Sequence, residues 1–215
     1  MSEPYDTNLT RRTFLGLFLA LPAPLALAGR GADSLAGALR LPGAASQAQQ
    51  LPPTPACGDA QDATPNQTEG PYFKPNTPER TSLLDGGEPG TRLVVSGYVL
   101  TRDCRPVARA LLDFWQADAN GAYDNVGYRF RGHQFTDESG RYYLETVVPG
   151  LYPGRTRHIH VKVQAPNQPV LTTQLYFPGE PRNNTDRIFR QALLLAVEDV
   201  ADGKAATFNF VLNVG

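Results

Sequence analysis

The sequence has few of the residues on which cofactor and metal sites commonly depend. Its 215 residues include only three histidines, two cysteines, one methionine and one tryptophan. Neither Cys57 nor Cys104 has another cysteine or a histidine close to it in the sequence, which argues against a thiolate metal site. The formal net charge is −1 and no block of basic residues stands out, so neither nucleic acid nor an anionic membrane surface is an expected partner.

The chain also lacks a hydrophobic run long enough to span a membrane. The N-terminal apolar segment, residues 14–28, has 15 residues and two prolines, whereas a spanning helix needs about 20 apolar residues. Arg11-Arg12 precede this segment and Ala26-Leu27-Ala28 end it, which is typical of a twin-arginine export signal with its cleavage site. We therefore predict that residues 1–28 are an export signal and that the mature protein is periplasmic or extracellular, without a membrane span. An uncleaved anchor is the alternative.

Residues 29–56 contain no aromatic residue and are rich in alanine, glycine, glutamine and proline, which predicts a flexible linker. Residues 57–215 are long enough to form one domain with its own core. In an exported chain the two cysteines suggest a Cys57–Cys104 disulfide, with two free thiols as the alternative. Closing this loop would stabilise the fold by about 4 kcal/mol on the loop-entropy model.

Turn residues dominate the pattern of the predicted domain. The chain has 20 glycines and 19 prolines, so turns are frequent and long helices are not expected. Short segments with strand character recur between them, whereas residues 119–132 are typical of a loop and residues 186–200 of a short helix. The spacing predicts an all-β, antiparallel β-sandwich with long loops. The predicted strands are 92–100, 108–118, 141–148, 157–164, 171–178 and 206–214.

Two of the three histidines stand two residues apart in the segment RHIHVKVQ. Side chains alternate along a strand, so His158, His160 and Lys162 share one face and the aliphatic residues between them take the core side. An ordinary solvated face is one interpretation of this pattern. The other is a metal site, because residues two apart on a strand are roughly 6.5–7 Å apart and their imidazoles can converge on one ion.

Further ligands for such an ion are restricted by what surrounds the pair. No aspartate or glutamate occurs in residues 147–177. Tyr152 is six residues before His158, in a loop bounded by Pro-Gly on both sides, and could reach the same face. Zinc usually recruits cysteine, histidine or carboxylate, whereas a ferric ion accepts hard oxygen donors together with imidazole, so histidine plus tyrosine favours iron.

Four segments resemble the intradiol ring-cleavage dioxygenases, which are non-haem Fe(III) catechol and protocatechuate dioxygenases. The resemblance extends from about Thr64 to Ile188. Gly154 stands where protocatechuate enzymes carry a tryptophan, so no particular catechol is implied. The four segments, in the order of the family, are TPNQTEGPYF (64–73), LLDFWQADANGAYD (111–124), PGLYPGRTRHIHVKV (149–163) and TTQLYFP (172–178).

The resemblance implies a role for each matched residue. It implies one Fe(III) per chain, with Tyr123 retained throughout and Tyr152 leaving when substrate binds. Arg155 and Gln174 would stabilise negative charge that develops during the reaction. The implied ligands are Tyr123, Tyr152, His158 and His160; the implied substrate-binding residues are Gly70, Pro71, Tyr72 and Ile188.

The implied reaction is cleavage of a catechol by O2 between its two hydroxylated carbons, giving a muconate-type diacid. Two alternatives remain open at this point: a zinc or copper protein that uses the same histidine pair, and a non-catalytic sandwich that binds ligands. A homo-oligomer is compatible with the sequence. Among other residues, His133 is expected at the surface or in a turn, Trp115 in the core, and Arg157 on the face opposite the histidine pair.

Export should depend on the arginine pair. We expect the double change Arg11→Lys/Arg12→Lys to leave the protein in the cytoplasm, because the twin-arginine route reads both residues. Fractionation of cells followed by immunoblotting measures this. Undiminished export of the double variant would show that residues 1–28 are not a twin-arginine signal.

Overall fold

Nine short strands make up most of the regular structure in residues 62–214, the part of the chain that the computed structural model describes. Two 3-10 turns, Pro181–Asn184 and Gln191–Leu193, lie between the sixth and seventh strands. The strands are β1 (Arg92–Thr101), β2 (Leu111–Trp115), β3 (Arg131–Phe135), β4 (Arg141–Val147), β5 (His158–Gln164), β6 (Leu171–Tyr176), β7 (Ala196–Val200), β8 (Gly203–Thr207) and β9 (Phe210–Leu212).

The strands form two sheets. One has the order β4-β1-β8-β7, with β9 also paired to β1, and the other has the order β3-β2-β5-β6. Most neighbours are antiparallel, but β1 pairs in parallel with both β8 and β9. The all-β sandwich predicted from the sequence is thus confirmed, and within the described residues β1 pairs with three strands, β4, β8 and β9.

Alternating residues from both sheets meet in one apolar core. β1 contributes Leu93 and Val95, and the second sheet contributes residues of β2 and β5, all fully buried. Burial of an aliphatic side chain contributes about 1.5–3 kcal/mol, so this shared core fixes which face of each strand points inward. The inward residues from β2 and β5 are Leu112, Phe114, Ile159, Val161 and Val163.

The helix expected over residues 186–200 is wrong. The segment instead has the 3-10 turn Gln191–Leu193 followed by β7, which pairs antiparallel with β8. Leu193 and Leu195 are buried, and a short apolar run of this kind suits a strand as well as a helix when only its periodicity is considered. Tertiary pairing with β8 decides between them.

Predictions for one strand, one loop and His133 also need correction. The single strand expected over residues 206–214 is divided into β8 and β9, because the Asn209 side chain accepts a hydrogen bond from the Tyr98 backbone N–H (3.0 Å) between the two pairings. The loop expected over 119–132 ends earlier, at β3. His133, expected at the surface or in a turn, lies in β3 and is half-buried, with its Nδ1 3.1 Å from the Thr77 hydroxyl.

Several sequence predictions fall on residues outside the described range. The export signal 1–28, the linker 29–56 and Cys57 lie there, so the localisation and the Cys57–Cys104 pairing stay predictions. Within residues 62–214, no helix is long and apolar enough to cross a membrane.

Candidate metal centre

The histidine pair is buried, so the solvated-face interpretation is wrong. His158 is 4% and His160 3% exposed, because β5 lies between β2 and β6 and its outer face is covered as well. The Trp115 ring stacks on the His160 ring with centroids 4.7 Å apart and planes 7° from parallel. Gly70 lies against the same imidazole, since a Cβ placed there would be 3.4 Å from His160 Cε1.

The two imidazoles converge through their Nε2 atoms, which are 3.1 Å apart. His158 Nδ1 lies 2.6 Å from the Thr156 carbonyl oxygen, so Nδ1 carries the proton and Nε2 presents its lone pair. Two nitrogens that each lie about 2.1 Å from one ion are about 3 Å apart when the angle between them is near 90°. The spacing of the pair therefore fits two ligands of a shared cation.

Burial keeps both histidines neutral. It lowers the pKa of His158 to about 4, with a smaller contribution from the nearby Arg155 charge. Burial also lowers the pKa of His160 well below its ordinary value, helped by His158 and Arg155. A neutral imidazole is the form that binds a metal ion.

Tyr123 joins the pair directly, since its hydroxyl oxygen lies 3.5 Å from His158 Nε2. Burial raises the pKa of the Tyr123 phenol, so it ionises only beside a strong positive charge such as a bound metal ion. Within residues 62–214, no cluster of three or more histidine, cysteine, aspartate or glutamate residues could hold a metal. A donor set of two histidines completed by tyrosine is the arrangement that fits.

Tyr152 reaches the site through Tyr72. Their hydroxyl oxygens are 2.9 Å apart, and the Tyr72 ring stacks on the Tyr123 ring with centroids 4.4 Å apart. The Tyr152 ring meets Tyr123 edge-on, with a centroid distance of 5.9 Å. Three tyrosines from three separate segments are thus in mutual contact beside the histidines.

The loops that carry Tyr123 and Tyr152 approach each other at Gly150. The carbonyl of Asp118 accepts hydrogen bonds from both Gly121 N (3.1 Å) and Gly150 N (2.7 Å). A Cβ at Gly150 would lie 2.3 Å from Gly121 N, so only glycine permits this backbone approach. The Pro-Gly before Tyr152 thereby places its loop against the loop of Tyr123.

Arg131 is a site-forming residue that sequence reasoning missed. It is fully buried in β3, and its guanidinium donates to the carbonyls of Tyr72 (2.5 Å) and Asp124 (2.9 Å). It thus ties the segment of Tyr72 to the loop that follows Tyr123. Arg129 and Arg141 nearby are exposed, so the sequence offers no reason to single out Arg131.

Arg155 and Gln174, the two residues to which the resemblance gives a role in stabilising charge, are adjacent. Arg155 Nη2 donates to Gln174 Oε1 (2.7 Å), and Gln174 Nε2 donates to the Thr68 carbonyl (2.9 Å). Gln174 is also the cross-strand partner of His160, which places the Arg155 guanidinium on the histidine side of the sheet. Arg157 instead bonds Glu180 (2.6 Å) and the Pro149 carbonyl.

The structure places the predicted substrate-binding residues unevenly. Gly70 and Tyr72 contact the histidines and tyrosines, and Pro71 is exposed beside them. Ile188 is linked to the site through its backbone: its carbonyl accepts a hydrogen bond from the Tyr176 hydroxyl (3.3 Å), and its N–H donates to Asp186 Oδ1 (3.1 Å). The roles of these residues stay predictions.

Comparison with known proteins agrees with this geometry. Residues 68–214 match the family model described as Dioxygenase. Catechol 1,2-dioxygenase of Acinetobacter baylyi is 27% identical over 70% of this chain and 58% of its own length. Catechol 1,2-dioxygenase 2 of Acinetobacter lwoffii is 31% identical over 67% of this chain and 63% of its own. The chain belongs to the intradiol ring-cleavage dioxygenases.

Solved structures of intradiol dioxygenases have the same fold. The dioxygenase domain of a dioxygenase–carbohydrate-binding fusion from Streptomyces sp. SirexAA-E is 63% identical, with a TM-score of 0.71 over 72% of this chain and all of that domain. The 3-chlorocatechol 1,2-dioxygenase of Rhodococcus opacus 1CP is 30% identical, with a TM-score of 0.66 over 71% of this chain and 73% of its own. The chain thus spans about 60% of the two Acinetobacter relatives, but all of the Streptomyces domain.

The buried histidines make the metal-free protein sensitive to acid. In the folded protein the pKa of each histidine lies below its unfolded value of about 6.5, so the unfolded state binds more protons below that pH. The free energy of unfolding is therefore highest above about pH 6.5 and falls as the pH falls toward 4. We expect the free energy of unfolding of chelator-treated protein to fall over this interval by up to about 1.4 kcal/mol per pH unit for each histidine. Urea denaturation at stepped pH measures it.

The variant His158→Gln/His160→Gln supplies the control for this experiment. It should show a flatter dependence of the free energy of unfolding on pH than the unmodified protein. Equal slopes in the two proteins would mean that the pair is not buried in its neutral form.

Proposed function

We propose that this protein holds one Fe(III) ion through Tyr123, Tyr152, His158 and His160 and uses it to cleave a catechol-type diol with O2 between the two hydroxylated carbons. The product would be a muconate-type diacid. The observation that carries the proposal is the 3.1 Å approach of two buried imidazole nitrogens, with the Tyr123 hydroxyl 3.5 Å from one of them. Its relatives catechol 1,2-dioxygenase and hydroxyquinol 1,2-dioxygenase support the same class of substrate.

When bound, the ferric ion would supply Lewis-acid chemistry that makes a coordinated diol reactive toward O2. The residues of the chain would do the rest. Tyr152, less buried than the histidines and hydrogen-bonded to Tyr72, would accept a proton from one catechol hydroxyl and remain in the site as a neutral phenol. Tyr123, held by the stacked ring of Tyr72, would stay in place.

The surroundings of the site explain why no carboxylate is needed as a base. Residues 147–177 contain none, and Asp186, a carboxylate from further along the chain, is bonded to Arg155 (2.8 Å). Proton transfer would therefore fall to Tyr152 and to a hydroxide ion, which would take one catechol proton each. Arg155 would stabilise negative charge that appears on the substrate oxygens during cleavage, with Gln174 holding its Nη2 in place.

Where the protein acts is a separate part of the proposal. We propose that it works outside the cytoplasm, since the Arg11-Arg12 pair and the short apolar segment behind it are typical of the twin-arginine route. That route exports proteins already folded, which suits an enzyme whose metal must be enclosed before export.

The central experiment measures iron and oxygen uptake together. We expect purified protein to contain about one iron per chain, to show a visible charge-transfer band from tyrosinate, and to consume O2 with one or more of a panel of substituted catechols. Tyr123→Phe should shift or bleach the band and His160→Gln should lose iron, whereas His133→Gln should match the unmodified protein. Colourless protein with bound zinc, or coloured protein that consumes no O2 with any catechol, would reject the proposed reaction.

Arg155 and Arg157 provide a matched pair for a second test. If Arg155 stabilises charge that appears only during reaction, Arg155→Ala should lower kcat by about 10²–10³-fold while iron, colour and the spectral response to catechol remain. Arg157→Ala should keep nearly unmodified kinetics, because Arg157 bonds Glu180 and lies outside the site. Steady-state oxygen uptake measures both, and the reverse ranking would show that the wrong arginine has been assigned.

A further inference from the structure

Asp186 holds together several groups that the reaction would need. Its Oδ2 accepts hydrogen bonds from Arg155 Nε (2.8 Å) and from the Thr156 backbone N–H (2.9 Å). Its Oδ1 accepts the Ile188 backbone N–H (3.1 Å). The carboxylate is buried, with 4% of its side chain exposed. Burial opposes its charged form, but the Thr156 N–H and the Arg155 pair outweigh this and lower the pKa of Asp186.

The bond to Arg155 sets the direction of the guanidinium. Asp186 binds it at Nε and Gln174 binds it at Nη2, so two acceptors at different nitrogens fix the plane of the group. Charge-assisted bonds of this kind are roughly twice as strong as neutral ones. Without Asp186, the Arg155 side chain would keep only neutral partners, among them Gln174, and could turn away from the histidines.

The hydrogen bond between Asp186 and Thr156 connects Asp186 to His158, one of the predicted metal ligands. Thr156 is fully buried, its N–H bonds Asp186, and its carbonyl accepts the Nδ1–H of His158 (2.6 Å). That last bond determines which His158 nitrogen faces the cation. Partners of this kind orient a metal-bound imidazole, and their loss typically costs about 10–100-fold in metal affinity or activity.

A second contact secures the same peptide. The Thr156 hydroxyl donates to Asn183 Oδ1 (2.6 Å), and Asn183 lies in the 3-10 turn Pro181–Asn184, just before Asp186. Asn183 and Asp186 therefore both bond Thr156, which lies in the chain between Arg155 and His158. Sequence reasoning missed this, because it placed Asp186 at the start of an expected helix.

We propose that Asp186 is a positioning residue of the dioxygenase site, acting on Arg155 directly and on His158 through the Thr156 peptide. The inference rests on the proposed function, since it assigns Asp186 to the same iron site. The hydrogen bonds of Asp186 go to Arg155, Thr156 and Ile188, and none goes to a predicted metal ligand. Its effect is to fix where the guanidinium and the imidazole point.

A second arginine–carboxylate pair, formed by the arginine two residues after Arg155, provides a matched control. The Arg157–Glu180 pair has the same Nε-to-carboxylate geometry (2.6 Å), with side chains 23% and 18% exposed, but it lies outside the site. Asp186→Asn and Glu180→Gln each remove one negative charge from an arginine–carboxylate pair. A role limited to fold stability predicts similar, small functional effects in both variants.

The experiment compares these variants in the iron-loaded protein, using catechol as substrate. We expect Asp186→Asn to lower kcat by about 10–100-fold with little change in KM, and to release iron to a chelator about 10-fold faster or more, followed by loss of the visible band. Glu180→Gln should match the unmodified protein in both measurements. Equal kcat and iron release in the two variants would overturn the proposal.

A double variant separates the two paths. If Asp186 acts on kcat through Arg155, then Arg155→Ala/Asp186→Asn should be no slower than Arg155→Ala alone, yet should still release iron faster. Independent, multiplicative losses of kcat would contradict the path through Arg155. Iron release from the double variant at the rate of Arg155→Ala alone would contradict the path through Thr156.

Two further outcomes are distinguishable. If Asp186→Asn does not fold, Asp186→Glu keeps the charge and moves the carboxylate by one methylene; a folded Asp186→Glu protein with unmodified kcat and iron release would overturn the proposal. If the unmodified protein itself holds no iron and consumes no O2 with any catechol of the panel, it is the proposed function that fails.

Discussion

The Nε2 atoms of His158 and His160 face each other at 3.1 Å inside the protein, and much of the structure serves to make that approach possible. Burial suppresses protonation of both rings, so the like charges that would otherwise repel at this distance do not form. The arrangement requires β5 to be covered on both faces. The core covers one face, and Trp115 with the segment around Gly70 covers the ring of His160.

The tyrosines reach the histidines from loops rather than from strands, and each loop is held by buried polar contacts. Arg131 donates to the carbonyls of Tyr72 and Asp124, so a single buried guanidinium joins two segments of the site. The close backbone contact at Gly150 brings the loop of Tyr152 to the loop of Tyr123. Rigid strands therefore carry the nitrogen donors, while tied loops carry the oxygen donors. Such a division would suit the proposed function, in which Tyr152 gives way to substrate and the histidines stay.

Two arginine–carboxylate pairs flank the start of β5, and they differ in what else their carboxylates touch. Glu180 bonds Arg157, which also contacts the Pro149 carbonyl, away from the histidines. Asp186 bonds Arg155 and also the peptide that orients His158. Similar ion pairs in the same stretch of chain thus differ in what else they hold in place, because their further hydrogen bonds go to different parts of the chain.

The sequence by itself determined the fold class, most of the strands, and the histidine pair with its nearby tyrosine and arginine. Alternation along a strand and turn residues between strands are local signals. The pair His158 and His160 is also a local signal, because the two residues are only two positions apart in the sequence. The tertiary structure alone decided that the pair is buried, that residues 196–200 form a strand rather than the end of a helix, and that Arg131 and Asp186 support the site. Burial and hydrogen bonding of these charged residues depend on partners far away in the chain. One buried arginine among several exposed ones, or one aspartate in a polar turn, leaves no local pattern by which it could be recognised.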